Sequence, residues 1–357
     1  MGGYISKKLG KVKIWDPERM KLQAVSEDDV QRKQEEQERN ETDEGNKPCS
    51  SHFASEGVNR SGQCGVVSAK CGAGGENEPC SEWSTDLRGV REWRSLLNDY
   101  DVESLLGTGG FGEVYAARRK KDALPVAIKA MSIKAVAEWI QLPGEQQLIP
   151  IEIALMKMVC KAPLSPGIIQ LLDWSISHSE VVLILEHPEP CLNLLDFLSK
   201  RKKFLGERLA RRIFLQVVEA LQHCQARGVF HRDVKVDNVL IQSFTHQIKL
   251  IDFGCGALLQ EDEYTSYRGT RKYAPPEWFT KRRYLAEPAT VWSLGILLYM
   301  LLYGSIPFEK KEETIKGKVK FHRKVSRECW NLIRRCLSLH PADRPSLTDI
   351  LEHSWLT

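Results

Sequence analysis

The sequence predicts an α+β chain of two lobes, a small β-rich lobe leading into a larger helical one. Three observations carry that expectation. Between residues 105 and 185, short apolar runs rich in Val, Ile and Leu are separated by turn residues, as in Leu105-Leu-Gly107-Thr-Gly109-Gly110-Phe111-Gly112 and Pro125-Val-Ala-Ile-Lys129. After residue 207 the pattern changes, with Leu209, Ile213, Val217 and Leu221 at four-residue spacing. At the centre, two apolar runs bracket His231-Arg-Asp233-Val-Lys235-Val-Asp-Asn238, and Asp252-Phe253-Gly254 begins fourteen residues past Asn238. Those carboxylates and amides have no place in a core.

Composition sets the bounds. The 357 residues suit one large or two medium domains, and 42% hydrophobic with 27% charged residues is an ordinary globular balance. The net charge of +4 divides into −2 over residues 1–98 (15 basic, 17 acidic) and +6 over residues 99–357 (36 basic, 30 acidic). That surplus is too mild to imply nucleic-acid binding, and no aromatic-basic interleaving appears. Ten cysteines without a repeated framework, and no signal-type start, point to free thiols in a reducing compartment. The expectation is therefore cytoplasmic, with the nucleus as a second location. Cys64, Cys71 and Cys80 have no histidine at finger spacing, so a zinc site is not expected there. The most apolar stretch, Val291 to Gly304, has the length of a buried core helix, not a membrane span.

In chain order, Met1-Gly2-Gly-Tyr-Ile-Ser6-Lys7-Lys8 matches an acylation pattern; the bland reading is a frayed basic terminus. Membrane contact is expected only if Gly2 is myristoylated, and then weakly. Residues 26–45 are highly polar and residues 46–85 rich in Gly, Ser and Cys, without periodicity, so residues 1–96 are expected to be a largely disordered extension. Trp93, Leu96 and Leu97 begin the first packing element. The small lobe is placed at 97–185, a hinge at 186–190 and the large lobe at 191–357.

The glycines of the 105–112 turn let backbone N–H groups approach phosphate oxygens, and Phe111 at its tip can cover them. Lys129 stands seventeen residues past Gly112, alone among apolar strand neighbours. Residues 149–161 read as a helix with Ile149, Ile153, Met156 and Val159 as its stripe and Glu152 within reach of Lys129. Strands are expected at 168–174 and 181–185. In the hinge, Pro188 and Pro190 lack an N–H to offer a ligand. Helices are expected at 207–224, 290–303, 326–338 and 346–353, with Thr265, Ser266 and Thr270 as hydroxyls of the segment between and Glu277 paired with Arg344.

Phosphoryl transfer needs an acceptor for a hydroxyl proton, a positive charge at the moving phosphate and oxygen ligands for magnesium. Asp233, Lys235 and the Asn238/Asp252 pair are of those types. Together, His231–Asn238 and Asp252–Gly254 resemble the signature set of protein kinases. Residues 97–357 more specifically resemble the Pim family of serine/threonine kinases. The markers are Leu105 to Gly112, Leu124 to Lys129, Leu183-Ile-Leu-Glu-His-Pro-Glu-Pro190, Leu250 to Leu259, Tyr273-Ala-Pro-Pro-Glu-Trp278 and Val291 to Tyr299. The long amino-terminal extension is similar to that of fish-type Pim-like members.

The resemblance implies a bilobal protein kinase fold and an ATP- and magnesium-dependent enzyme, with manganese as an alternative ion. It implies catalytic roles for Lys129, Glu152, Asp233 and Lys235, metal ligands in Asn238 and Asp252, and a nucleotide site lined by Leu106, Gly107, Gly109, Gly110, Phe111, Gly112, Val114, Ala127, Lys129, Leu185, Glu186 and Leu240. It further implies a monomer that acts on Ser/Thr hydroxyls of protein substrates with Arg or Lys upstream. Thr290 stands where most kinases carry an aspartate, an absence shared with Pim kinases, which are active without activation-segment phosphorylation. The sequence departs from the family in its substrate groove. Asn193, Val236, Ser266, Arg268, Ser305 and Lys311 replace common carboxylates, whereas Glu189, Asp196, Asp237, Glu309, Glu312 and Glu313 remain. A moderate basic preference is the expectation. The rival from another class is a pseudokinase scaffold, against which the full ligand set stands.

Overall fold

The computed structural model describes residues 98–110, 112–201 and 204–357. Gly2, Ser6, Cys64, Cys71, Cys80, Trp93, Leu96, Leu97 and Phe111 lie outside the described residues.

The described chain is bilobal. In the small lobe, β1 (Tyr100–Gly109), β2 (Gly112–Arg119) and β3 (Pro125–Ser132) are followed by the short hairpin β4 (Trp139–Gln141) and β5 (Leu148–Pro150), helix α1 (Ile151–Val159), and strands β6 (Leu171–Ile176) and β7 (Glu180–Glu186). Five strands form one antiparallel sheet in the order β1-β2-β3-β7-β6. Two-residue alternation decides what faces where. Val126 and Ile128 of β3 join Tyr100, Ala117, Val182 and Ile184 in a small cluster on one face. The intervening Lys129 and Met131 therefore face the other way, and Met131 packs with Val181, Leu183 and α1 in the main core.

Three boundaries in and around the small lobe differ from expectation. Helix α1 starts at Ile151, not 149, because residues 148–150 pair with β4; Pro150 biases Ile149 towards extended backbone. The strand expected at 168–174 is Leu171–Ile176, since Ile168 bridges instead to Leu250 of the large lobe. Glu186 closes β7 opposite Val126, so the hinge begins at His187.

The large lobe runs through β8 (Cys191–Asn193), α2 (Leu194–Lys200), α3 (Glu207–Ala226), β9 (Val229–Phe230), β10 (Val239–Gln242), β11 (Ile248–Leu250) and β12 (Ala257–Leu258). Helices α4 (Pro276–Lys281), α5 (Ala286–Tyr303), α6 (Lys311–Lys316), α7 (Arg327–Cys336) and α8 (Leu347–Leu351) complete it. Ile213, Val217 and Leu221 of α3 are buried as their spacing requires. Helix α5 begins four residues earlier than expected. By length and composition it could cross a membrane, yet 83% of it is buried inside the protein. Gly295 explains its fit against α7: a Cβ there would lie 2.8 Å from the Leu337 side chain.

One buried ion pair braces this lobe. Arg344 donates from Nη1 and Nη2 to the two carboxylate oxygens of Glu277 at 2.8 and 2.7 Å. It also donates to Pro288 O and Ser338 O and lies 5.0 Å from the Trp292 ring. Two charges taken out of water are tolerable only while each satisfies the other. Arg344→Met should therefore strand the Glu277 carboxylate and cost about 3–5 kcal/mol in urea denaturation. A loss under about 1 kcal/mol would show that the pair is not a brace.

Candidate active site

Three elements converge on one amine. Lys129 Nζ, on β3, donates to Glu152 Oε1 of α1 at 2.7 Å and to Asp252 Oδ1 at 2.9 Å. The Lys129 and Glu152 side chains are 9% and 7% exposed, Asp252 28%, so the site opens towards the aspartate. Burial alone would lower the Lys129 amine, but the two carboxylates outweigh it and hold the ammonium above its ordinary value. Burial likewise acts to raise the Asp252 carboxyl, and the Lys129 ammonium reverses this, leaving it below the usual carboxylate range. The pair is charged at neutral pH. Asp252 has φ 64°, a left-handed conformation that a non-glycine residue holds at a cost of order 1–3 kcal/mol.

The loop after β9 gathers the second group. Asp233 Oδ2 lies 2.8 Å from Lys235 Nζ and accepts from Asn238 Nδ2 at 3.0 Å. Its Oδ1 accepts from the Thr270 N–H at 2.7 Å. Asn238 Nδ2 also donates to the Asp233 carbonyl at 2.8 Å, closing the loop on itself. His231 underpins it, donating from Nε2 to Ile251 O at 3.0 Å and accepting the Asp233 N–H at Nδ1. Burial pushes its imidazole below the ordinary value, so it sits there neutral. The carbonyl of Asn238 takes the Ile251 N–H at 2.9 Å, fixing this loop beside Asp252.

Thr270 belongs to this cluster, which the sequence did not reveal. Its hydroxyl accepts from Lys235 Nζ at 2.7 Å, so it is part of the loop and not a free modification site. The preceding Gly269 is the sequence signal. It has φ 130°, and a Cβ there would come 2.6 Å from Arg232 O.

The glycine-rich turn divides into two kinds of glycine. Gly112 has φ 125° and a Cβ there would meet Ala130 O at 2.1 Å, so the fold itself requires it. Gly107, Gly109 and Gly110 have nothing within 4 Å of such a Cβ; their backbone faces open space that a ligand could approach. Val114 pairs with Lys129, and Ala127 with Leu185, which places these residues in line along the sheet. Leu106 is exposed on β1, and Leu240 on β10 lies on the large-lobe side. Glu186 does not present its carboxylate to this row. Its Oε1 accepts the Gln170 N–H at 2.9 Å and pairs with Lys249 Nζ at 2.6 Å.

The comparisons with known proteins agree with this geometry. Residues 100–356 match the family model described as the protein kinase domain. The chain belongs to the protein kinase family. It is 45% identical over 262 residues to the serine/threonine-protein kinase pim-2 of Danio rerio, covering 72% of this chain and 84% of that protein. Similarity to prk-2 of Caenorhabditis elegans is 38% over 270 residues, and to PSK2 of Saccharomyces cerevisiae 30% over 268. These matches cover 74% and 73% of this chain but only 60% and 24% of those proteins. The chain is thus a serine/threonine protein kinase related to Pim- and PSK-like enzymes.

In this kinase the helix residue Thr290 turns inward on its own helix, donating to Ala286 O at 2.9 Å. A small cavity bounded by Phe230, Arg232, Val234, Thr290 and Ser293 lies behind the loop. Among the described residues no group of three or more His, Cys, Asp and Glu side chains encloses a metal ion. Magnesium is commonly held by one or two protein groups together with phosphate oxygens and water. Asp252 and Asn238 would offer hard oxygen donors to such an ion. The two kinds of glycine can be separated by substitution. Gly112→Ala should lower stability by more than about 1 kcal/mol, whereas Gly109→Ala should leave the melting temperature unchanged and weaken ATP binding. Equal loss of stability in both would overturn the distinction.

Proposed function

We propose that this chain is a Pim-like, fish-type kinase with a long amino-terminal extension, active without phosphorylation of its own activation segment. It transfers the γ-phosphoryl of ATP to Ser/Thr hydroxyls of protein substrates and moderately prefers Arg or Lys upstream. The observation that carries this reading is Lys129 Nζ held between Glu152 and Asp252 while Thr270 is seated on Asp233 and Lys235. Arg232 adds support. Its Nη2 donates to the Ser266 carbonyl and, at 2.9 Å, to Tyr284 Oη, and its guanidinium lies 5.4 Å from the Tyr264 ring.

In this reading Lys129, oriented by Glu152, holds the nucleotide phosphates, and magnesium supplies charge neutralisation when bound by Asp252 and Asn238. Asp233 takes the proton of the acceptor hydroxyl as its oxygen bonds to the γ-phosphorus and the bond to ADP breaks. Lys235, whose ammonium is kept above its ordinary value because Asp233 outweighs the effect of burial, steadies the moving group. We further infer a monomer in the cytoplasm, with membrane contact only through a myristoylated Gly2. The six described cysteines are free, which suits a reducing compartment.

Asp252→Asn and Lys129→Met test the core of the reading. Both should fold, and both should lose at least about 100-fold in kcat on a Ser/Thr peptide with magnesium-ATP. Transfer within about threefold of wild type in either would defeat the assignment and favour a scaffold role.

A further inference from the structure

The carboxylates available to a basic substrate residue follow one edge of the cleft. Strand β8 runs antiparallel to β10, placing Asn193 opposite Leu240 near the catalytic loop and leaving Glu189 at the hinge end. Helix α2, which carries Asp196, rests against the 236–238 turn that holds Asp237. A peptide's upstream residues would pass these groups in turn.

Two of the remaining acids already hold a cation from the same chain. Arg118 of β2 donates from Nη2 to Glu189 Oε2 at 2.8 Å and from Nε to Glu103 Oε1 at 3.0 Å. Lys272, two residues past Thr270, donates to Glu309 Oε2 at 2.9 Å. Glu313 is spent differently, accepting the Glu309 and Lys310 N–H groups ahead of α6. Occupation by a guanidinium matters most, because it is the very group a substrate arginine would bring. Arg118 spans two carboxylates with the planar fork that only arginine has. The Arg118 and Glu189 side chains are 42% and 36% exposed, so the pair is open to exchange with an incoming residue.

We propose that Arg118 is a specificity-determining residue: its guanidinium occupies Glu189 in place of a substrate arginine and so flattens the preference for basic peptides at the position Glu189 reads. The inference rests on the basic-peptide reading given above. An arginine arriving at Glu189 displaces a like contact, and the net gain is the difference between two similar ion pairs. Removing the resident cation frees the carboxylate. The binding contribution of one exposed pair corresponds to a change of about two- to fivefold.

The test is kcat/KM for peptide pairs with arginine or alanine at each upstream position, in wild type, Arg118→Ala, Arg118→Lys, Glu189→Ala and the Arg118→Ala/Glu189→Ala double variant. Arg118→Ala should raise the arginine-to-alanine ratio about two- to fivefold at one position only, more at low salt. Arg118→Lys, with one ammonium for two carboxylates, should give a smaller rise, and the double variant should lose the gain. kcat on the all-alanine peptide should stay within about twofold in Arg118→Ala and Arg118→Lys. A wild type that selects arginine, with the ratio unchanged in Arg118→Ala, would overturn this inference and leave the basic-peptide reading standing. A gain that survives in the double variant would also overturn it, since Glu189 would then not be the reader. Ratios near one in every protein would remove both.

Discussion

The Lys129 ammonium ties together pieces of chain that lie far apart in sequence. Its partners come from α1 in the small lobe and from the turn after β11 in the large lobe, 23 and 123 residues away. A buried lysine or glutamate left alone is costly, so each fixes the other's position. The position of α1 is thereby coupled to the conformation of the Asp252 turn. Gly256 completes the coupling by steric means: a Cβ there would lie 2.5 Å from Leu155 Cδ1, so the chain passes directly beneath the helix. Lys129, Glu152 and Asp252 are thus held together by charge and by close packing.

The second half of the site depends on that assembly through backbone. Ile251 donates its N–H to Asn238 O and accepts the His231 ring, so the Asp252 turn and the catalytic loop share one scaffold. The activation segment closes the arrangement from outside. Thr270 bonds to Asp233 and Lys235, and Tyr264 pairs its backbone with Tyr284 while their rings stack 5.7 Å apart. Arg232 sits against both tyrosines, held at φ 66°.

How much of this was legible in the sequence follows from the range of each interaction. The motif residues and the long periodic helix α3 stand out because their patterns are local. So did the Lys129–Glu152 and Glu277–Arg344 pairs, once the motifs fixed the fold. The β4–β5 hairpin and helices α2, α4 and α6 did not, being three to seven residues long with no room for periodicity. The start of α1 was misplaced because Ile149 fits a helical stripe as well as a strand; Pro150 after it and its pairing with Ile140 decide for the strand. Side-chain commitments across the fold were the least visible. Nothing near Glu189 in sequence indicates that Arg118, 71 residues earlier, already binds it. Thr270 likewise reads as a loop hydroxyl until Lys235 is placed beside it.

The most direct test is the activity of bacterially made protein treated with phosphatase and shown by intact mass to carry no phosphate. Retention of most of the peptide-phosphorylating activity is the result expected if Arg232, Tyr284 and Thr270 hold the segment unaided. Inactivity that is relieved only when Thr265 or Ser266 regains phosphate would contradict it.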